Sequence, residues 1–240
     1  MFIQRLQYIF RWLSGEFFSS KSIENVYDNV SRNNKYDTSV NFEKRTKGFK
    51  HILARVKLDK GSVLDLACGT GAIEVALKDR NMHILGVDNS SGMLQIAQKK
   101  LKKWKHISFK KGNFLTVDLP NNRFDLITIA HAIRFVPQDS EENFTQKIYR
   151  LLKHDGYFIV IVHDDNFFVR SYYTLLSLLG ANKKLNVSFQ LKNILIEKLR
   201  PFFTLQEIAP AHNNFFDYKD IGLIFKKNNL LFAQYSFHNN

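Results

Sequence analysis

From residue 62 onward, short apolar runs alternate with segments whose apolar positions recur every third or fourth residue. Runs of the first kind read as strands and segments of the second kind as helices. Strands are predicted near 62–67, 82–88, 106–110, 124–130 and 156–163, with later pieces near 203–209, 220–226 and 230–237. Helices are predicted near 71–79, 90–103 and 139–152. Such alternation points to a parallel sheet with helices on both faces. Asp139 with Glu142 three residues on forms a capping-box-like start for the third helix. Lys153-His154-Asp155-Gly156 then turns the chain into the next strand, with Gly156 as the breaker. Residues 1–58 read as helical in about three pieces, and residues 165–200 as two helices inserted after the fifth strand. Both regions are expected to cap the strand ends where ligands bind in open α/β sheets. There is no internal repeat or low-complexity tract, and Pro120, Pro137, Pro201 and Pro210 all fall at loops or boundaries.

Composition narrows this picture. A chain of 240 residues, 45% of them hydrophobic, suits one α/β domain spanning 1–240. Its single cysteine, Cys68, excludes an internal disulfide and reads as a small packing residue. No run approaches the roughly 20 apolar residues that a membrane span requires, and no signal-peptide core is present, so a cytoplasmic protein is expected. The formal charge of +13 suits an anionic partner. The densest cluster, Lys99-Lys100-Leu101-Lys102-Lys103 with Lys105, nevertheless reads as the solvated end of a helix, where cations complement the dipole. Nucleic acid is therefore the less favoured partner. Phe2, Leu6, Ile9, Leu13 and Phe17 recur at helical spacing beside Arg5 and Arg11. That stripe fits either peripheral membrane contact through residues 1–18 or packing on the protein's own cap.

The chemistry concentrates in Val63–Ala72, VLDLACGTGA: an apolar strand, an acid, a Gly-rich turn and the start of a helix. Glycine at 69 and 71 lets a ligand lie against bare backbone. Dinucleotide sites use a related arrangement with G-x-G-x-x-G, but here position 74 is Glu74, which would repel a pyrophosphate. The expected ligand is thus a nucleoside without phosphates, carrying a cationic or zwitterionic tail. Asp88 ends the second strand where an acid can hold a ribose diol, or can cap the next helix. After the third strand, Asn113 and Phe114 offer an amide for an adenine edge and a ring for its face, although Gly112-Asn113 is equally an ordinary turn. The fourth strand ends in Ala130-His131-Ala132-Ile133-Arg134-Phe135. It carries no (N/D)-P-P-(Y/F) run, and Cys68 has no second cysteine to pair with.

DLACGTG resembles the first motif of class I S-adenosylmethionine-dependent methyltransferases. The resemblance implies a Rossmann-like α/β fold, with a mostly parallel seven-stranded sheet, an antiparallel C-terminal strand and helical caps. The implied cofactor is S-adenosyl-L-methionine, with S-adenosyl-L-homocysteine as product and no metal. The implied cofactor residues are Asp65, Ala67, Cys68, Gly69, Thr70, Gly71, Asp88, Asn89, Met93, Asn113, Phe114, Ala130 and His131. Several pieces are similar to the ubiquinone/menaquinone C-methyltransferase branch: Arg134 and Val136 after the fourth strand, Tyr149-Arg150-Leu151-Leu152-Lys153, and Tyr27-Asp28 followed by Arg45 and Lys47. Departures fall at His163-Asp164-Asp165 and His154-Asp155-Gly156.

These departures lie where the acceptor would bind, and Tyr27, Tyr36, Arg134 and His163 are the candidate acceptor residues. His131, His163 or His212 could serve as base, with His131 best placed, and Arg134 could hold an acceptor oxygen. Cap phenylalanines (Phe167, Phe168, Phe189, Phe202, Phe203, Phe215, Phe216) suit an apolar acceptor or an aromatic core. The leading expectation is methyl transfer to a small, apolar aromatic or quinol-like acceptor. Methylation of RNA or another macromolecule is the enzymatic alternative, and a catalytically silent cofactor-binding partner protein is the non-enzymatic one.

Overall fold

The computed structural model describes residues 20–32, 35–163, 192–211 and 220–228. The amphipathic stripe in 1–18, the bulk of the 165–200 insertion, His212, the strand near 230–237 and Phe167, Phe168, Phe189, Phe215 and Phe216 lie outside those residues. The chain begins with α1 (Ser20–Arg32), α2 (Lys35–Ser39) and α3 (Phe42–Leu53), and continues through β1 (Lys60–Leu66), α4 (Ala72–Leu77), β2 (Asn81–Asp88), α5 (Ser91–Leu101), β3 (Ile107–Lys111) and β4 (Phe124–Ala130). It then forms α6 (Glu141–Leu151), β5 (Leu152–His163), α7 (Lys192–Leu199), β6 (Phe203–Pro210) and β7 (Asp220–Lys227).

The seven strands form one sheet in the order β3-β2-β1-β4-β5-β7-β6. β1 to β5 pair in parallel, and β7 runs antiparallel to both β5 and β6. Both faces are covered because the strand residues alternate between two cores. Phe158, Val160 and Val162 pack with Phe144, Ile148 and Phe203 on one side, while Ile159 and Ile161 pack with Phe49, Ile52 and Ile73 on the other. The described end of the inserted segment, α7, lies on the first of these faces through Leu195 and Leu199.

Two local expectations are corrected. A 3-10 turn at Gln138–Ser140 precedes α6, and the Ser140 hydroxyl bonds Asp139 at 3.0 Å instead of capping the helix, so no capping box forms. At the start of β5, Phe124 pairs with Leu152 and Leu126 with Tyr157, leaving Lys153 to Gly156 opposite Asp125 alone. Within that bulge the left-handed residue is Asp155, at φ 62°, next to the expected breaker Gly156. Aspartate is among the few residues with a Cβ that tolerate it.

Candidate active site

The strand order reverses at β1, whose neighbours are β2 and β4. Open α/β sheets bind ligands outside the carboxyl ends of the strands at such a point. The β1–α4 turn is built there from three left-handed residues, Ala67 (φ 56°), Gly69 (φ 56°) and Gly71 (φ 87°). A Cβ on Gly69 would meet nothing within 4 Å, so this backbone opens directly on a cleft. A Cβ on Gly71 would lie 3.0 Å from Leu101 Cδ1, so that glycine admits α5 instead. Asp88 ties the turn to β2: its Oδ2 accepts from Gly69 N at 2.8 Å and its Oδ1 from Ser90 N at 2.8 Å. The helix cap itself is Ser90, whose Oγ accepts from Met93 N at 3.1 Å.

Carboxyls crowd beneath this turn. Asp65 is 1% exposed and accepts a 2.6 Å hydrogen bond from Thr128 Oγ1. Burial pushes its pKa up to about 8, opposed by Thr128 and reinforced by Asp88. Glu74 is fully buried, and neither oxygen finds a hydrogen-bond partner among the described residues. Burial, with Asp65 adding to it, holds this carboxyl well above the usual range. Glu74 reaches over Gly86, where any Cβ would collide with Oε1, and does not line the cleft. The expected repulsion of a pyrophosphate by Glu74 is therefore corrected: its carboxyl faces the sheet in a setting that favours the neutral form. Burial also pushes the Cys68 thiol up.

The N-terminal helices close over this region through acids. Asp37 accepts from Thr70 Oγ1 at 2.6 Å and pairs with Lys100 Nζ at 2.7 Å, while Lys100 also donates to Thr70 O at 2.8 Å. Asp28 accepts from Ser90 Oγ and from Gly92 N, the latter at 3.0 Å. Glu24 holds Lys111 at 2.8 Å and the Asn89 amide at 3.4 Å. Lys100 is thus committed to this contact and is not part of a free cationic patch.

The cleft is shallow, with a cavity volume of about 40 Å³, and opens to solvent. Its floor is Asp65, Ala67, Cys68, Gly69 and Thr70, and its far wall is Tyr36, Val40, Phe42, Arg45 and Phe49, with Ala130 and His131 between them. His131 stands just past β4 at φ 59°, its N–H bonded to Ile161 O at 2.8 Å and its ring centroid 6.1 Å from that of Phe49. His131 Nε2 is 3.3 Å from Asp220 Oδ2. Arg45 Nη1 donates to Tyr36 Oη at 3.4 Å, and Tyr27 packs edge-on behind Tyr36 at 6.2 Å.

Of the residues singled out from sequence, the cleft gathers Asp65, Ala67, Cys68, Gly69, Thr70, Tyr36, Ala130 and His131. Gly71, Asp88 and Asn89 are not among the residues that line it. Met93 is 1% exposed and belongs to the packing of α5. Asn113 Oδ1 accepts from Leu115 N at 2.9 Å, the turn geometry, and Phe114 stacks edge-on against Phe144 at 5.9 Å. Arg134 lies in a 3-10 turn with its guanidinium 5.1 Å from the Phe135 ring. His163 pairs with Asp220 through the backbone, and its side chain lies outside the described residues. Sequence reasoning missed Asp37, Phe49 and Asp220. It met Arg45 only through the family pattern, and no local signal marks the other three.

Residues 63–156 match the family model described as a methyltransferase domain. The chain is 28% identical over 122 residues to a demethylmenaquinone methyltransferase of Staphylococcus carnosus, an alignment covering 49% of this chain and 51% of that protein. It is 33% identical over 120 residues to a carboxy-S-adenosyl-L-methionine synthase of Campylobacter hominis, covering 48% and 50%. The chain spans about half the length of the curated relatives it matches. Among solved structures it is similar to the complex of the Haloferax volcanii Trm112 methyltransferase activator with a methyltransferase. The TM-score is 0.66 at 16% identity, with 84% of this chain and 97% of that one covered. This likeness is one of fold.

Proposed function

We propose, from the premise that the chain carries a class I methyltransferase domain, that it transfers the methyl group of S-adenosylmethionine to a small, apolar aromatic acceptor of quinol type. The observation that carries this reading is the Gly69 backbone, left-handed, open to the cleft and latched to Asp88. The residues present fit the cofactor. The two Asp88 oxygens keep lone pairs beyond their backbone bonds for a ribose diol, and Asp65 is a buried carboxyl that a nearby cation would ionise. Asn113 and Phe114 are the candidates for the adenine.

The cofactor when bound supplies a methyl carbon activated by a sulfonium. The protein's own tasks are to align the acceptor with that carbon and to keep water out. Val40, Phe42 and Phe49 provide an apolar wall for a flat ring, while Arg45, with Tyr36 beside it, holds a ring oxygen. Support for a quinol comes from this wall and from the relatives named as demethylmenaquinone methyltransferases. An acceptor of that kind resides in a membrane, which residues 1–18 would approach from the cytoplasmic side.

Calorimetric titration of the whole chain tests the cofactor assignment. S-adenosylhomocysteine is expected to bind with a simple 1:1 isotherm while NAD does not. Gly69→Val, which puts a side chain into the cleft, is expected to lower affinity at least tenfold. Equal affinity in the wild type and this variant would refute the cradle.

A further inference from the structure

We propose that Asp37 is a positioning residue that fastens the acceptor-facing wall of the cleft to the glycine turn through Thr70 and Lys100, a role that rests on the function proposed above. The wall needs such a fastening. It is carried by α2, of five residues, and the start of α3, with Asn41 between them at φ 47°. A single helical turn has little stability of its own, so tertiary contacts set where it stands.

Asp37 follows Tyr36 directly in α2, and its two oxygens go to different elements. Oδ1 accepts from Thr70 Oγ1 in the β1–α4 turn at 2.6 Å, and Oδ2 pairs at 2.7 Å with Lys100 Nζ near the end of α5. Lys100 closes the ring by donating to Thr70 O at 2.8 Å, and the same ammonium lies 3.4 Å from the centre of the Phe42 ring. Three residues that line the cleft, Tyr36, Phe42 and Thr70, are thereby tied to one ionic cluster.

The cluster is partly screened from water. Thr70 is 3% exposed, and the side chains of Lys100 and Asp37 are 25% and 28% exposed. Hydrogen bonds to ionised groups in such a setting hold geometry better than pairs on the open surface. Burial pulls the Lys100 pKa down, and the Asp37 hydrogen bond is the largest effect opposing it. The acid thus sustains the cation that grips both Thr70 and Phe42.

Thr70 stands between the two glycines of the turn, so whatever orders the turn also orders the wall. A ligand seated on Gly69 steadies Thr70, Thr70 holds Asp37, and Asp37 sets Tyr36 and Phe42 at their distance from the floor. Alignment of the acceptor depends on that distance, whereas the Gly69 backbone and Asp88 remain in place without it. Loss of the fastening therefore falls on the acceptor more than on the cofactor.

Kinetics and calorimetry of the full chain test this, with naphthalene-1,4-diol, held reduced, as probe acceptor. Asp37→Asn and Lys100→Met are each expected to lower kcat/KM for the diol about 100-fold and to raise the S-adenosylhomocysteine Kd less than about threefold. The double variant is expected to be no worse than either single one, because the two side chains act as a unit. Equal losses of diol kinetics and S-adenosylhomocysteine affinity would mark a general loosening of the fold and overturn the proposal. Unchanged kinetics, or losses that add in the double variant, would overturn it as well. Hydrogen exchange judges the fastening apart from catalysis. In the ligand-free protein, residues 35–53 are expected to exchange about tenfold faster in Asp37→Asn than in the wild type, with β1 to β5 unchanged. Exchange in that segment equal to the wild type would reject the role of Asp37. Absence of any transfer by the wild type would instead refute the function proposed above, and the exchange result would then decide the fastening alone.

Discussion

Asp65, Glu74 and Asp88 surround one turn, and burial raises the pKa of each. An acid with a higher pKa in the folded chain holds a proton that the unfolded chain has released. For Asp65 that window runs from the ordinary carboxylate range to about 8, and stability falls as pH rises through it. The cost is about 1.4 kcal/mol per pH unit for each proton by which the two states differ. Removing such a carboxyl is therefore expected to help most at high pH. Melting temperatures of Asp65→Asn and Glu74→Gln, measured without ligand, should gain on the wild type by several degrees between pH 5 and pH 8. A difference independent of pH would contradict the buried-acid description. At this scale the sequence was partly legible: Asp65 and Asp88 sit at strand ends, where a reader looks for them. The inward turn of Glu74 depends on Gly86 of the next strand, and the left-handed backbones of Ala67 and His131 are not glycine positions, so nothing local announced them.

The helices α1, α2 and α3 matter because they supply the cleft's far wall and are pinned by acids to the very turn that forms its floor. Gly92 is the tightest point, since a Cβ there would collide with Ser31 Oγ beneath α1. Gly92→Ala is expected to lift α1 from α5, speeding hydrogen exchange and proteolysis in residues 20–39 at least tenfold while the sheet stays protected. Unchanged exchange would show that the cap is held by other means. Strand and helix positions followed well from apolar periodicity, because strands buried on both faces and amphipathic helices write strong patterns. The misplacements came where local chemistry has two outcomes: Ser140 closing on Asp139 before α6, and Asp155 taking the left-handed turn beside Gly156. Pairings such as Asp37 with Thr70 join segments far apart in sequence, which a periodicity pattern does not encode.

At the scale of the whole molecule, the sheet reversal at β1 and the antiparallel β7 bring three distant stretches to one cleft: the Gly69 turn, the α2–α3 wall and the His131–Asp220 pair. The turn was readable from a single motif. Of the wall, Tyr36 and Arg45 were named from the sequence, but Phe49 and Asp220 were not, because their relation to the turn exists only in the folded topology. The charge of +13 was a weaker guide, since Lys100 and Lys111 are spent on Asp37 and Glu24. Among the described residues, no helix is long and apolar enough to cross a membrane. What the molecule does with its cleft is decided most directly by following the methyl group. The purified chain would be incubated with S-adenosylmethionine labelled in the methyl, separately with a reduced lipid extract, RNA and protein. Label is expected in the lipid extract, in step with release of S-adenosylhomocysteine. Label in RNA or protein instead, or in none of the three, would contradict methyl transfer to a small apolar acceptor.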